Sequence, residues 1–123
     1  MSYLTDLKRA TGTGSARDGT QRHWWMTKSS VGLLILTPLF VFTFGPMLGQ
    51  PYDAVVAYFA RPFPSIVAAL MIVVGFMHFK NGIKMVIEDY SHGFTREALI
   101  VLTTCRSYGA AATGLFAIAK IAL

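Results

Sequence analysis

The stretch SIVAALMIVVGFMHFKNGIKMVIEDY, residues 65–90, decides the fold. Nothing from Ser65 to Met77 is charged, and the run holds no proline. A helix of about 20 apolar residues, rising 1.5 Å per residue, crosses a hydrocarbon core of about 30 Å. The stretch therefore predicts a membrane span, with His78 well inside it and Asp89-Tyr90 at its end. An ionisable side chain at such depth is costly and is a functional candidate by default.

The same logic extends outward in both directions. Residues 29–48 hold no charge and read as a first span, with Pro38 inside it to bend it; Thr37 or a partner helix can satisfy the freed carbonyl. Residues 96–123 read as a third span. Residues 1–28 form a cytoplasmic N-terminal arm, polar and mobile over 1–22 with room for a short helix near Tyr3–Arg9, residues 49–64 an external loop with a short interfacial helix near Ala54–Ala60, and residues 91–95 a cytoplasmic loop. The expected fold is an all-α integral membrane protein of three transmembrane helices, one part of a heteromeric helix bundle. Composition agrees: 54% of the 123 residues are hydrophobic. A soluble domain this small would leave too much of that surface in water.

The formal charge of +5 is unevenly placed. Lys8, Arg9, Arg17, Arg22 and Lys28 all precede the first span. Cations ahead of long uncharged runs mark the cytoplasmic end of a membrane protein and argue against a nucleic-acid partner. The first loop carries only Arg61 against Asp53, which puts it outside, and Lys80, Lys84 and Arg96 cluster toward the second, which returns to the cytoplasm. His23-Trp24-Trp25 lies where indole rings sit at the headgroup level. Charged and polar residues run to Lys28 and no small-residue cleavage site closes the apolar run, so the N-terminus reads as mature and cytoplasmic, in a bacterial inner membrane. The single cysteine, Cys105, makes no disulfide, iron–sulfur site or covalent haem attachment within the chain.

With His78 as origin and 100° per residue, Gly75 and Gly82 fall within roughly 60° of it and Asp89 within roughly 20°. One helix face thus carries an imidazole between two glycines, with a carboxylate at its cytoplasmic end. Neutral imidazole is a good axial ligand for haem iron, and flanking glycines leave room for a flat macrocycle. Lys80 and Lys84 point away, as snorkelling residues do. His23 and His92 lie near the boundary, so the chain offers no second ligand for the same iron. A core histidine hydrogen-bonded to a neighbouring helix fits the spacing equally well. Tyr90 can donate to a quinone carbonyl with Asp89 beside it as orienting group or proton path, and it can equally be an interfacial tyrosine after a helix-ending aspartate.

The pattern His78-x-x-x-Gly82-x-x-x-x-x-x-Asp89-Tyr90, late in the second of three spans, resembles the smaller cytochrome b membrane anchor of succinate dehydrogenase (respiratory complex II). The likeness covers nearly the whole chain and includes His23-Trp24-Trp25. It implies that His78 is an axial ligand of haem b, that Tyr90 hydrogen-bonds a ubiquinone carbonyl, and that Asp89 supports that site. Where the family has an arginine near the haem propionates, this chain has Lys28, whose ammonium lacks a bidentate fork. The resemblance further implies a flavoprotein subunit, an iron–sulfur subunit and a second cytochrome b anchor subunit that supplies the other haem ligand. This chain would receive electrons in the respiratory chain and the tricarboxylic acid cycle without oxidising succinate itself.

Arg106, inside the third span, is expected to snorkel, or to pair locally with Asp89 or a propionate. Ser107, Gly109, Ala110, Ala111, Ala112, Thr113 and Gly114 form a small-residue patch for close helix packing. Met47, Met71, Met77 and Met85 read as core or lipid contacts, Met85 alone sharing the His78 face. Three other readings stand beside the leading one: the anchor of a quinol:fumarate reductase, a cofactor-free structural membrane subunit, and a small transporter using His78 and Asp89 as a proton relay. The glycines favour a cofactor over a relay, and Ile83, Val86 and Ile87 supply no polar path.

Overall fold

The computed structural model describes residues 3–14 and 18–123; Arg17, one of the five cations ahead of the first span, lies outside them. The described residues form helices joined by short connections, without a strand. A short helix α1 (Asp6–Thr11) opens the chain, capped by the Thr5 hydroxyl, which accepts from the Lys8 amide at 3.3 Å. Helix α2 (Asp18–Phe44) follows and runs into a 3-10 turn at Gly45–Met47. Two longer helices, α4 (Pro62–Tyr90) and α5 (Gly93–Ala122), come after a short α3 (Tyr52–Phe59).

The sequence explains these ends. Pro62 stands in the first turn of α4, where its missing N–H costs nothing. Gly49 and Gly93 take positive φ, 78° and 62°, at the two reversals, a conformation that glycine alone adopts freely. Helix α4 ends at Tyr90, the residue expected. Helix α2, in contrast, begins well ahead of Ser29: part of the arm expected over 1–28 is helix continuous with the first apolar run. Arg22, one turn inside α2, bonds a carboxylate on α4, and this contact extends the helix past its apolar part.

Helix α4 lies in the middle. It packs against α2 on one side and α5 on the other, while α2 and α5 hardly touch. Part of the small-residue patch on α5 serves this packing: a Cβ on Gly114 would stand 3.0 Å from Ile72 Cδ1, and Ser107 is buried, whereas Gly109, Ala110, Ala112 and Thr113 are exposed. A row of three helices encloses little. Its buried apolar side chains are Phe59, Val67, Ala68 and Ile87, whereas Leu34, Ile35, Phe42, Ile66, Phe79 and Phe116 are exposed. Water would not tolerate that surface.

Among the described residues two helical stretches, Gly19–Met47 and Pro62–Tyr90, are long and apolar enough to cross a membrane. Helix α5 has the length, 30 residues, but does not reach the same apolarity. Arg106 and the small, partly polar run Ser107–Gly114 account for the difference.

Candidate functional site

His78 sits past the middle of α4 on the face turned to α2. Its Nδ1 lies 2.8 Å from Ser29 Oγ, and the Ser29 hydroxyl in turn reaches the Met26 carbonyl at 3.0 Å. The histidine is thus a half-buried group held at the α2–α4 interface. The neighbours expected on its face divide in two. Nothing stands within 4 Å of a Cβ built on Gly75, so that glycine leaves open space; at Gly82 the Met26 side chain already fills the gap, at 3.7 Å. The cradle expected on both sides of His78 is therefore open on one side only, because α2 lies against the other.

Beside the Ser29–His78 pair, α2 and α4 form a groove of about 390 Å³ lined by Trp25, Lys28, Ser29, Gly32, Met77 and Asn81, among others. Lys28, the candidate propionate partner, stands at this groove with an exposed side chain. Met85, on the His78 face, lines a separate hollow with Arg22, His23 and Met26.

Asp89 and Tyr90 lie at the end of α4, about 17 and 18 Å along the axis from His78. Both are exposed, Tyr90 at 84%. Asp89 makes no ion pair among the described residues. The carboxylate that organises this end is its neighbour Glu88, which the sequence did not single out. Glu88 accepts from Arg22 at 2.9 Å, with Lys84 at 3.8 Å and Arg96 at 3.9 Å. The spacing Lys84–Glu88 was a visible signal; the reach of Arg22 from α2 was not.

Lys80 departs from expectation. It does not run free to the boundary but donates to the Tyr108 hydroxyl of α5 at 3.0 Å, its ammonium 4.9 Å from that ring's centroid. Arg106 is exposed and in no ion pair among the described residues, so it pairs neither with Asp89 nor with any other carboxylate there. His23 and His92 are exposed, and no group of three or more histidine, cysteine or carboxylate side chains that could hold a metal ion occurs among the described residues. One imidazole with its Nδ1 occupied and Nε2 remaining is a donor set that fits a haem iron whose second ligand comes from elsewhere.

Comparison with known proteins places the chain in a family. The model of the succinate dehydrogenase/fumarate reductase transmembrane subunit family matches residues 1–122. The succinate dehydrogenase hydrophobic membrane anchor subunit of Paracoccus denitrificans is 42% identical over 123 residues, covering all of this chain and 95% of that one. No solved structure gives a significant match.

Proposed function

From its membership of the succinate dehydrogenase/fumarate reductase transmembrane subunit family, as a membrane anchor subunit, we propose that this chain co-ligates haem b through His78 and builds part of a ubiquinone-reduction site with Tyr90 and Asp89. The observation that carries the reading is His78 itself. It is a neutral-capable ligand inside a membrane helix, held at one ring nitrogen by Ser29 with the other left over. Haem b, when bound, takes up and releases single electrons. The chain's own residues do the rest: His78 holds the iron, and Lys28 at the adjacent groove offers an ammonium to a propionate. Gly75 leaves backbone open on the same helix.

At the end of α4 the Tyr90 hydroxyl is free to donate to a quinone carbonyl at headgroup level, and Asp89 beside it can hold or pass a proton during reduction. Their exposure suits a pocket completed by partner chains, since the site has one wall here. Those partners are a flavoprotein, an iron–sulfur protein and a second cytochrome b anchor, the last supplying the other haem ligand. Exposed apolar side chains along all three long helices support burial against such a partner and lipid. The relative's name favours succinate oxidation over fumarate reduction as the working direction.

Helix α5 is the third span in this reading. Its 30 residues measure about 45 Å, and its junction with α4 needs only Ser91-His92 to reverse direction. Arg22, Lys84 and Arg96 gather about Glu88 at one end of the row, which supports a cytoplasmic N-terminus in a bacterial inner membrane. The C-terminus then lies outside, and a reporter fused to Leu123 is active only in the periplasm. Activity of a cytoplasmic reporter there would overturn the three-span topology.

The ligand assignment is tested by reduced-minus-oxidised optical spectra of the complex purified through this chain. Wild type gives a low-spin b-type spectrum that His78→Ala loses or alters. A wild-type complex without haem, or a mutant with an unchanged spectrum, overturns the assignment.

A further inference from the structure

Ser29 has one hydroxyl proton and two polar neighbours. The Met26 carbonyl, at 3.0 Å, is the acceptor that a serine inside a helix ordinarily takes, and it accepts the Ser30 hydroxyl as well, at 2.8 Å. The other neighbour is His78 Nδ1, at 2.8 Å. If the serine proton goes to Met26, its oxygen is free to accept, and the proton in the Ser29–His78 bond belongs to the imidazole. A neutral imidazole carries one N–H. With that proton on Nδ1, Nε2 is a bare lone pair. The reverse assignment, serine donating to Nδ1, would put the proton on Nε2 and close the ring to a metal.

Ligation makes the same demand independently. A neutral histidine that binds iron through Nε2 keeps its proton on Nδ1, and a buried N–H needs an acceptor. Ser29 Oγ is the acceptor at that atom.

We infer that Ser29 is a positioning residue: through the chain His78 Nδ1–H to Ser29 Oγ–H to the Met26 carbonyl, it holds His78 in the tautomer that presents Nε2 and fixes the plane of its ring. This rests on the haem reading proposed above. The bond also raises the ring's basicity, which favours ferric over ferrous iron. Its loss therefore raises the midpoint potential. A hydroxyl is a neutral acceptor, so the effect belongs at the low end for such partners, about tenfold, carried by the ferric form. For a one-electron couple that is about 59 mV upward.

The test is a redox titration of haem in the intact purified complex, with haem content and the low-spin ferric EPR signal measured alongside. Ser29→Val and Ser29→Thr have the same shape and differ by the hydroxyl. The expected result is an upward shift and a changed EPR signal in Ser29→Val, and wild-type values in Ser29→Thr. Should Ser29→Val not assemble, Ser29→Ala replaces it with the same expectation. Equal potentials in the hydroxyl-bearing and hydroxyl-free variants overturn the positioning role and leave His78 as ligand. If His78→Ala keeps the wild-type low-spin signal, the ligand reading itself fails, and this inference falls with it.

Discussion

Replacing Glu88 by alanine removes the carboxylate on which three cations converge. The Arg22 contact, at 2.9 Å, is a charge-assisted hydrogen bond between α2 and α4. Such a bond contributes about 1.5–3 kcal/mol when shielded. Side-chain exposure is 22% for Glu88 but 38% for Arg22, so solvent screening brings the pair down to about 1–2 kcal/mol. The approaches of Lys84 at 3.8 Å and Arg96 at 3.9 Å lie beyond hydrogen-bond reach and add about 0.3 kcal/mol each. Glu88→Ala should therefore cost about 2 kcal/mol, and Arg22→Ala somewhat less, since Glu88 keeps its other two cations. The double variant isolates the pair, with a coupling of about 1.5 kcal/mol expected. The assay is an SDS titration of the purified complex in mixed micelles, followed by loss of helix signal, for wild type, both single variants and the double. Additive single effects, with a coupling under about 0.5 kcal/mol, would refute the claim that this contact extends and anchors α2.

The remaining predictions test packing and the far end of α4. Gly114→Leu should separate α4 from α5, costing about 1–3 kcal/mol, because Ile72 Cδ1 already lies 3.0 Å from a single added Cβ; Gly109→Ala, with nothing within 4 Å, should be neutral or stabilise the helix by up to about 1 kcal/mol. Both are read in the same titration. Tyr90→Phe should leave the unfolding midpoint within about 0.5 kcal/mol of wild type, since the side chain is 84% exposed, while KM for a soluble ubiquinone analogue rises. An unchanged KM would remove Tyr90 from the proposed quinone site. A Lys80→Met, Tyr108→Phe cycle should give a coupling of about 0.5–1 kcal/mol from the 3.0 Å bond, and purely additive losses would mean that Lys80 faces lipid.

What one sequence can reveal follows from what each feature depends on. His78, Gly82, Asp89 and Tyr90 share a single helix, and their relative placement needs only the 3.6-residue repeat; α4 does end at Tyr90. Ser29 is invisible in sequence because its meeting with His78 depends on the register of α2 against α4. Glu88 and Asp89 look interchangeable in sequence, yet they point about 100° apart, and the position of α2 decides which one Arg22 reaches. The same helix position fills the space at Gly82 with Met26, where the spacing alone predicts a bare face. Lys80 reads as snorkelling on its length alone, and Tyr108, twenty-eight residues on, gives no local sign of being its acceptor.

These misses share a physical origin, and it says how the row of helices is specified. In lipid, apolar side chains gain little by meeting one another rather than acyl chains, so close packing and polar contacts must set which faces meet. Helix α4 has both. At its crowded side the missing Cβ of Gly114 makes room for Ile72 from α4, which sets the distance to α5. The register is carried by polar bonds two residues apart: His78 to Ser29 on α2, and Lys80 to Tyr108 on α5. Two residues are about 200° around a helix, so the bonds leave α4 on opposite faces and a single turn engages both neighbours. Sliding either neighbour by one turn, about 5.4 Å, would strand an imidazole or an ammonium without its partner at membrane depth. Because His78 belongs to this register device as well as to the proposed iron site, the placement of the ligand and the alignment of α2 are one structural requirement.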